Sequence, residues 1–217
     1  MEGTYSFALL GDDNVGKTCF VEVMNNADFD FNTRSTLGFN LKTFTFDTDT
    51  QIDAKTDILP DKLSANIYDI SRMLIYESVD WINSKDAIIL GFDITDNNTF
   101  IYLETIIRTI KSRNNKERPI YLLGFKSDLK SQKSVNDDDI LFFMARNNIG
   151  TYKEISSKNQ EDVTEAITDI VLRFAKNRVH LEIDTTTQSP SEKDIVIDFS
   201  NVTQTNVDMR GGCCNIM

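Results

Sequence analysis

The sequence is poor in cysteine, with three in 217 residues, and it lacks a long apolar run. Cys19 falls in a predicted helix and is expected in the core, while Cys213 and Cys214 stand near the end. This arrangement is neither a disulfide framework nor a zinc site, so we expect a reducing, cytosolic setting. No apolar stretch could span a bilayer, and no secretory signal is expected. Glu2 excludes N-myristoylation.

Positive charge is also scarce. The chain has 23 Lys and Arg against 34 Asp and Glu, giving a net charge of -11. Such an acidic chain has little general affinity for polyanions, so we expect no nucleic-acid partner. An apolar content of 40% and a length of 217 residues suit one soluble domain with room for a tail.

Residues 11–18 read Gly-Asp-Asp-Asn-Val-Gly-Lys-Thr, between an apolar segment that predicts a strand and one that predicts a helix. Strand, glycine-bounded turn, Gly-Lys-Thr and helix together make a phosphate-binding loop. Its glycines let backbone N–H groups turn toward a phosphate, and the helix N-terminus adds positive potential. Lys17 would reach the β- and γ-phosphates and Thr18 would bind Mg²⁺. The alternative is a chance loop with a helix-capping threonine.

The rest of the chain alternates apolar or β-branched segments with amphipathic ones, whereas residues 70–84 favour no single structure. One helix is predicted from a stripe of Ile101, Ile106, Ile107 and Ile110. Alternation of this kind predicts an α/β fold: a mostly parallel six-stranded sheet with helices on both faces and one antiparallel hairpin pair. The predicted strands are 5–10, 36–46, 63–68, 87–92, 119–124 and 151–155; the predicted helices are 19–24, 98–113, 137–146 and 163–174.

The pattern stops near Val179, where a polar, turn-rich stretch begins. We therefore predict a domain over residues 1–178 and a flexible tail over residues 179–217. Ligands of parallel sheets bind at the carboxyl ends of the strands. The phosphate-binding loop, Asp69 and the turns after Gly124 and Ile155 all fall at that edge.

Four further pieces follow the loop in order: Thr36 before a glycine, Asp69 at a strand end, Phe-Lys-Ser-Asp at 125–128, and Ser-Ser-Lys at 156–158. With the loop, they make residues 4–178 resemble the small GTPases of the Ras superfamily. The segment 37–42 and the Gly-Gly-Cys-Cys ending look most like the Rab branch.

This resemblance implies a site for GTP or GDP with Mg²⁺. Asp128 would accept the two adjacent donors of guanine, which adenine cannot supply. Phe29 would pack edge-on to the base, although packing on the core is the alternative, and Asp69 has the alternative of a strand-end turn residue. The implied nucleotide-binding residues are Gly11, Asp12, Asp13, Asn14, Val15, Gly16, Lys17, Thr18, Cys19, Phe29, Thr36, Asp69, Lys126, Asp128, Ser156, Ser157 and Lys158. The implied metal ligands are Thr18, Thr36 and Asp69, and the implied effector region is Leu37, Gly38, Phe39, Asn40 and Leu41.

Several positions depart from the family pattern. Arg72 and Met73 replace the glycine that reads the γ-phosphate and the glutamine that orients water. Asp13 puts a carboxylate in the phosphate-binding loop, and Phe125 replaces an asparagine beside the base. We therefore expect slow hydrolysis, unless Arg72 acts as an arginine finger supplied by the chain itself.

The ending Cys-Cys-Asn-Ile-Met has the prenylation pattern, and its tandem cysteines resemble the doubly lipidated site of Rab proteins. A free thiol pair at Cys213 and Cys214 is the alternative. Two lipids are favoured, because one chain anchors only reversibly and no basic patch assists it.

The resemblance implies a membrane-anchored guanine-nucleotide switch on the cytoplasmic face of a membrane, with a soluble pool. Its partners would be effectors, an exchange factor, an activating protein and the prenylation machinery. A pseudo-GTPase that binds nucleotide and recruits partners without hydrolysis is the alternative. A P-loop kinase of small metabolites is less suited, because no arginine-rich lid is present.

Overall fold

The computed structural model describes residues 2–30, 36–48, 59–113 and 118–187, with only the backbone over residues 180–187. The described part contains a sheet of six strands in the order β2-β3-β1-β4-β5-β6. The strands are β1 (Glu2–Gly11), β2 (Phe39–Asp47), β3 (Lys62–Ile70), β4 (Ala87–Asp93), β5 (Ile120–Phe125) and β6 (Thr151–Ile155). The helices are α1 (Lys17–Met24), α2 (Arg72–Glu77), α3 (Val79–Ile82), α4 (Asn97–Lys111), α5 (Asp137–Asn147) and α6 (Gln160–Thr187), with a 3₁₀ helix over Ser127–Gln132.

The sheet is mixed, as the sequence predicts. Only β2 and β3 pair antiparallel; the other four neighbouring pairs of the described sheet are parallel. Leu9 of β1 is in register with Asp69 of β3 and Ile89 of β4. The carboxyl ends of these central strands therefore meet at one edge. The predicted α/β fold with one hairpin pair is confirmed.

Alternate side chains of β1 enter two cores on opposite faces of the sheet. Phe7 and Leu9 pack in the core beneath α1 and α6, while Ala8 and Leu10 pack in the core beneath α2 to α5. Every residue of β4 and β5 is buried. The continuous apolar runs of the central strands follow from this coverage on both faces.

Several boundaries differ from the predictions. β2 begins at Phe39, three residues late, because Gly38 has a left-handed φ of 86° that no extended strand continues through. The undecided segment 70–84 forms α2 and α3. The prediction that Ile101 belongs to the buried stripe of α4 is wrong. Ile101 is 58% exposed, and Leu103 is the buried residue on that part of the helix.

The last helix is longer than predicted. α6 runs to Thr187, nine residues beyond the predicted end of the domain at 178. The remainder of the predicted tail, from 188, lies outside the described residues. Residues 31–35 and 49–58 also lie outside them; they fall in the segments 25–35 and 47–62, whose polar composition predicts loops.

Candidate functional site

A cavity of about 390 Å³ opens at the carboxyl edge of the sheet. The phosphate-binding loop forms one end of it and the loops after β5 and β6 form the other. Three residues that were not predicted as ligand contacts, Ser71, Phe125 and Leu129, also line it. The predicted site residues that line it are Asp13, Asn14, Gly16, Lys17, Thr18, Cys19, Phe29, Thr36, Lys126, Asp128, Ser156, Ser157 and Lys158.

The phosphate-binding loop wraps around the ammonium group of Lys17. The Nζ atom donates to the carbonyl oxygens of Gly11 at 3.0 Å and Asp12 at 2.6 Å. Burial lowers the pKa of Lys17, and the nearby carboxylates of Asp69, Asp13 and Asp12 partly oppose that shift. The ammonium therefore lies in a pre-formed position with little access to water, where an anion would be a favourable additional partner.

The first turn of α1 offers backbone donors to this cavity. Its N-cap is Gly16, which has a left-handed φ of 116° and carries no side chain to cap the first turn. Asn14 is also left-handed, at a φ of 60°. Val15 is fully buried and fixes the loop on the core. Free N–H groups at a helix start are suited to phosphate oxygens.

Three oxygen-bearing side chains converge beside α1. Thr18 Oγ1 donates to Asp69 Oδ2 at 2.7 Å, Thr36 Oγ1 donates to the same atom at 3.1 Å, and the two hydroxyl oxygens are 3.0 Å apart. Asp69 is fully buried, yet its Oδ1 atom has no hydrogen-bond partner among the described residues. Hydroxyl and carboxylate oxygens with a buried, unsatisfied lone pair fit a hard divalent cation such as Mg²⁺.

The other end of the cavity presents a carboxylate. Asp128 accepts hydrogen bonds from Ser156 Oγ and Lys158 Nζ, both at 2.7 Å. Burial would raise the pKa of Asp128, but the bonds from Lys158 and Ser156 and the charge of Lys158 lower it below its ordinary value. Asp128 is therefore ionised at neutral pH. A carboxylate has about four acceptor positions, so it can accept from further donors.

Lys126 lines the cavity with its stem while its ammonium group is held elsewhere. Its backbone is left-handed at a φ of 68°, and its Nζ donates to Asp93 Oδ2 at 2.5 Å. Asp93 is 6% exposed and also accepts from the backbone N–H and hydroxyl of Thr95. This bond fixes the aliphatic part of Lys126 against the cavity, where a flat ring could stack on it.

Phe125 is the buried wall between the two ends. Its ring lies 5.8 Å from the ring of Phe20, and its side chain lies against Gly16 of the loop. A Cβ atom added to Gly91 would come within 2.3 Å of the ring, so Gly91 leaves the space that Phe125 fills. Phe125 stands where the family pattern has an asparagine, so in this chain the phosphate-binding loop is supported at that position by apolar packing.

Two residues that line the cavity, Cys19 and Phe29, test predictions about where their side chains pack. Cys19 is partly buried and lines the cavity, so its expected place in the core is wrong. Phe29 lines the cavity and also packs against the core, so both interpretations of this aromatic hold in part.

Gly11, Asp12, Val15 and Asp69 were predicted to contact nucleotide but do not line the cavity. Gly11 and Asp12 contribute through their carbonyl groups, and Asp69 acts through the hydroxyl groups of the threonines that it contacts. These residues hold the side chains that line the cavity and do not line it themselves.

Arg72 also lies outside the cavity lining. Its Nη1 atom is 2.6 Å from Asp12 Oδ1, and its guanidinium carbon is 4.3 Å from the centre of the Tyr102 ring. The neighbouring Met73 is 77% exposed. Neither side chain is directed into the cavity in this conformation.

The predicted effector region lies on the surface next to the site. Leu37, Phe39 and Leu41 are exposed, at 93%, 50% and 43%. Asn40 donates through Nδ2 to Glu22 Oε1 at 3.1 Å, and Gly38 accepts from the backbone N–H of Ser71 at 2.9 Å. This apolar segment is therefore attached directly to residues that line or flank the cavity.

Sequence reasoning missed Ser71, Leu129 and Asp93. Ser71 follows Asp69 by two residues and Leu129 follows Asp128. Both could have been predicted from their closeness in sequence to predicted site residues. Asp93 is the last residue of β4 and Asp69 the last but one of β3, so the same edge argument applied to every strand would have found Asp93.

Similarity to known proteins covers the described domain and most of the chain. A family model described as Ras family matches residues 6–177. The Ras-related protein YPTC6 of Chlamydomonas reinhardtii is 23% identical over 215 residues, covering 97% of this chain and 94% of that protein. The Ras-related protein Rab11A of Nicotiana tabacum is 24% identical over 218 residues, with coverages of 97% and 94%. Within the described residues, no helix combines the length and the apolar character needed to cross a membrane.

Proposed function

The chain belongs to the Ras family as a Rab-type small GTPase, and from that premise we propose that it is a Mg²⁺-dependent, slowly hydrolysing guanine-nucleotide switch anchored to membranes by lipid. Family membership supports the GTP-binding switch. The metal, the low rate and the anchor are proposals for this chain.

One observation carries the proposal: a single cavity holds phosphate-binding groups at one end and an ionised carboxylate at the other. Lys17 and the start of α1 lie at the first end, and Asp128 lies at the second. A nucleotide needs both ends at once, because its phosphates and its base are recognised by groups of opposite charge.

In the proposed complex, Lys17 and the loop amides bind the β- and γ-phosphates. Asp128 accepts two hydrogen bonds from guanine, and Lys126 and Phe29 flank the base. Thr18, Thr36 and Asp69 would hold Mg²⁺, and Asp69 also fixes the two threonine hydroxyl groups. When bound, Mg²⁺ would neutralise phosphate charge, and phosphoryl transfer depends on such electrostatic stabilisation together with positioning of the nucleophile.

Slow hydrolysis is supported by the side chains that follow Asp69. Met73 is 77% exposed, and a thioether is too weak an acceptor to orient water. Arg72 is held by Asp12 and Tyr102, away from the cavity. We infer that the described residues supply phosphate binding without a group that positions the attacking water.

Membrane attachment is proposed through Cys213 and Cys214, which lie outside the described residues. We propose two prenyl groups, a cytoplasmic-face location with a soluble pool, and Rab-type effectors, exchange factor and activating protein. Residues 1–178 would form the nucleotide-binding domain, with the region beyond them as the tail that carries the lipids.

The test is single-turnover hydrolysis of GTP preloaded on the purified protein with Mg²⁺. We expect tight binding of GTP and GDP and a rate no faster than the intrinsic rates of small GTPases, on the order of 10⁻⁴ per second. Brisk hydrolysis that falls at least ~10³-fold in Arg72→Ala would refute the slow-enzyme proposal and make Arg72 catalytic.

The pseudo-GTPase is the second candidate, favoured by the exposure of Met73. The same assay separates the two. Bound GTP that remains intact over many hours supports a recruiter without hydrolysis, whereas slow but complete conversion supports the switch.

A further inference from the structure

Two large apolar side chains of α5 lie on the surface of the domain. Leu141 is 63% exposed and Phe142 is 69% exposed, although the residues on either side of the pair, Ile140 and Phe143, are buried. Adjacent residues of a helix are about 100° apart, so Leu141 and Phe142 lie side by side on the outer surface of α5. Neither side chain belongs to the two cores described above.

The neighbouring helix α4 adds a third apolar side chain. The ring centres of Phe100 in α4 and Phe143 in α5 are 5.2 Å apart, and Glu104 pairs with Arg146 at 3.3 Å. The two helices are therefore in contact at this level. Ile101 follows Phe100 and is exposed next to the same contact. We refer to the three exposed apolar residues as the α4–α5 patch: Ile101, Leu141 and Phe142.

The area of the α4–α5 patch indicates the size of a partner. The three side chains together expose on the order of 300 Å² of mostly apolar surface, comparable to the largest patch on a typical monomer, which is often functional. A stable interface between two folded proteins buries about 800 Å² on each partner. The patch is therefore suited to a short segment of a partner.

Two carboxylates border the α4–α5 patch. Asp138 and Asp139 lie three or four residues before the apolar pair of α5, the spacing at which side chains on a helix are neighbours. Both are exposed, and neither forms an ion pair with any residue that the structure describes. The nearby cations Lys133 and Lys130 act on Asp137. Asp138 and Asp139 favour the dipole of α5, and their oxygens can still accept from a cation.

This charge disfavours the partners that the chain itself could supply. A second copy carries the same net charge of -11, and a symmetric contact would bring like charges together. The chain beyond α6 is also acidic. Residues 188–217 contain two basic and four acidic side chains: Lys193, Arg210, Glu192, Asp194, Asp198 and Asp208. Electrostatic complementarity therefore favours a basic segment from another protein.

We propose that the α4–α5 patch binds a short amphipathic helix of another protein, with apolar residues on one face and lysine or arginine beside them. The apolar residues cover the patch, and the cations reach Asp138 and Asp139. Lysine and arginine suit this border, because their aliphatic stems pack on apolar surface while their charges reach carboxylates. The site is independent of the switch proposed above, since none of its residues lines the cavity.

Titration of the full chain with two synthetic helical peptides tests the proposal. One peptide has a leucine face flanked by lysines, and the other has every lysine replaced by glutamate. We expect the lysine peptide to bind with a dissociation constant on the order of 10 µM at low salt, and the glutamate peptide at least about tenfold more weakly. Changes in amide chemical shifts should be confined to α4 and α5.

Two double variants separate the apolar contact from the charge. Leu141→Ser with Phe142→Ser should weaken binding of the lysine peptide about tenfold or more, because it removes apolar contact and leaves every charge in place. Asp138→Asn with Asp139→Asn should weaken it about fivefold and reduce its dependence on salt.

Glu161→Gln with Asp162→Asn is the matched control, because it removes two exposed acidic charges from the first turn of another helix, α6. This control should stay within about twofold of the parent, since the overall charge changes equally but the patch is intact.

Three results would overturn the proposal. Equal binding of the lysine peptide to the parent and to the double serine variant would mean that net charge alone attracts it. Equal binding of the two peptides, or shift changes outside α4 and α5, would place the contact elsewhere. A parent that dimerises in sedimentation, with the dimer lost in the double serine variant, would make a second copy the occupant.

Discussion

The contact between Phe125 and Gly91 makes a quantitative prediction. A Cβ atom at position 91 would lie 2.3 Å from Phe125 Cε2 and 3.2 Å from two further ring carbons. The ring is fully buried and its Cβ and Cγ atoms lie against Gly16, so the ring could shift only toward the cavity that it lines. Gly91→Ala should therefore cost about 1–3 kcal/mol of unfolding free energy, the usual range for an overpacked core.

The same variant should weaken GDP binding, because the displaced ring pushes on Gly16 at the start of α1. Phe125→Leu alone should cost on the order of 1–2 kcal/mol through lost buried carbon. The double variant should be less destabilised than the sum of the two by at least about 1 kcal/mol, since the smaller side chain makes room for the new methyl group.

Urea unfolding gives the three free energies, and the dissociation rate of a fluorescent GDP analogue reports the loop. Gly150→Ala is the matched control, because nothing lies within 4 Å of a Cβ atom there. It should stay within about 0.5 kcal/mol of the parent. A Gly91→Ala protein as stable as that control, or additive costs in the double variant, would show that Gly91 and Phe125 are not tightly packed.

Two further predictions concern Asp128, and a third concerns Cys213 and Cys214. Asp128→Asn should abolish the preference for guanine over xanthine nucleotides in competition binding; unchanged selectivity would place the base elsewhere. Burial would raise the pKa of Asp128, but Lys158 and Ser156 lower it below its ordinary value in the folded protein. Its charge is lost only as pH falls through that lowered value, so guanine preference should stay constant from pH 7.5 to 5. Replacing Cys213 and Cys214 together by Ser should move the protein from the membrane to the soluble fraction of cells, and persistence in the membrane pellet would indicate a partner that holds it there.

The sequence predicted the strands of the sheet well because their apolar runs follow from burial on both faces. β6 matches its predicted range, and β4 extends one residue further. The segment 70–84 could not be predicted, because α2 and α3 are helices of six and four residues that depend on tertiary contacts such as that of Arg72 with Asp12. Such pairs join residues sixty positions apart, and no local pattern encodes them.

The site divides in the same way. Motif spacing placed Lys17, Thr18 and Asp128 around one cavity, since each follows a strand whose end lies at the same edge. The side-chain packing that supports the cavity could not be predicted from the sequence. That Gly91 leaves room for Phe125 depends on the register between β4 and β5, in which Gly91 pairs with Leu123 and Phe125 with Asp93.

The direction of α6 bears on how the protein would stand on a membrane. The helix starts next to the cavity and returns across the sheet, where Arg178 pairs with Asp86 beside the opening residues of β4. Its 28 residues span roughly 40 Å at 1.5 Å per residue. The chain therefore leaves on the side opposite the cavity. If Cys213 and Cys214 carry lipids as proposed, the chain that leads to them starts from the side of the domain opposite the cavity and Leu37–Leu41.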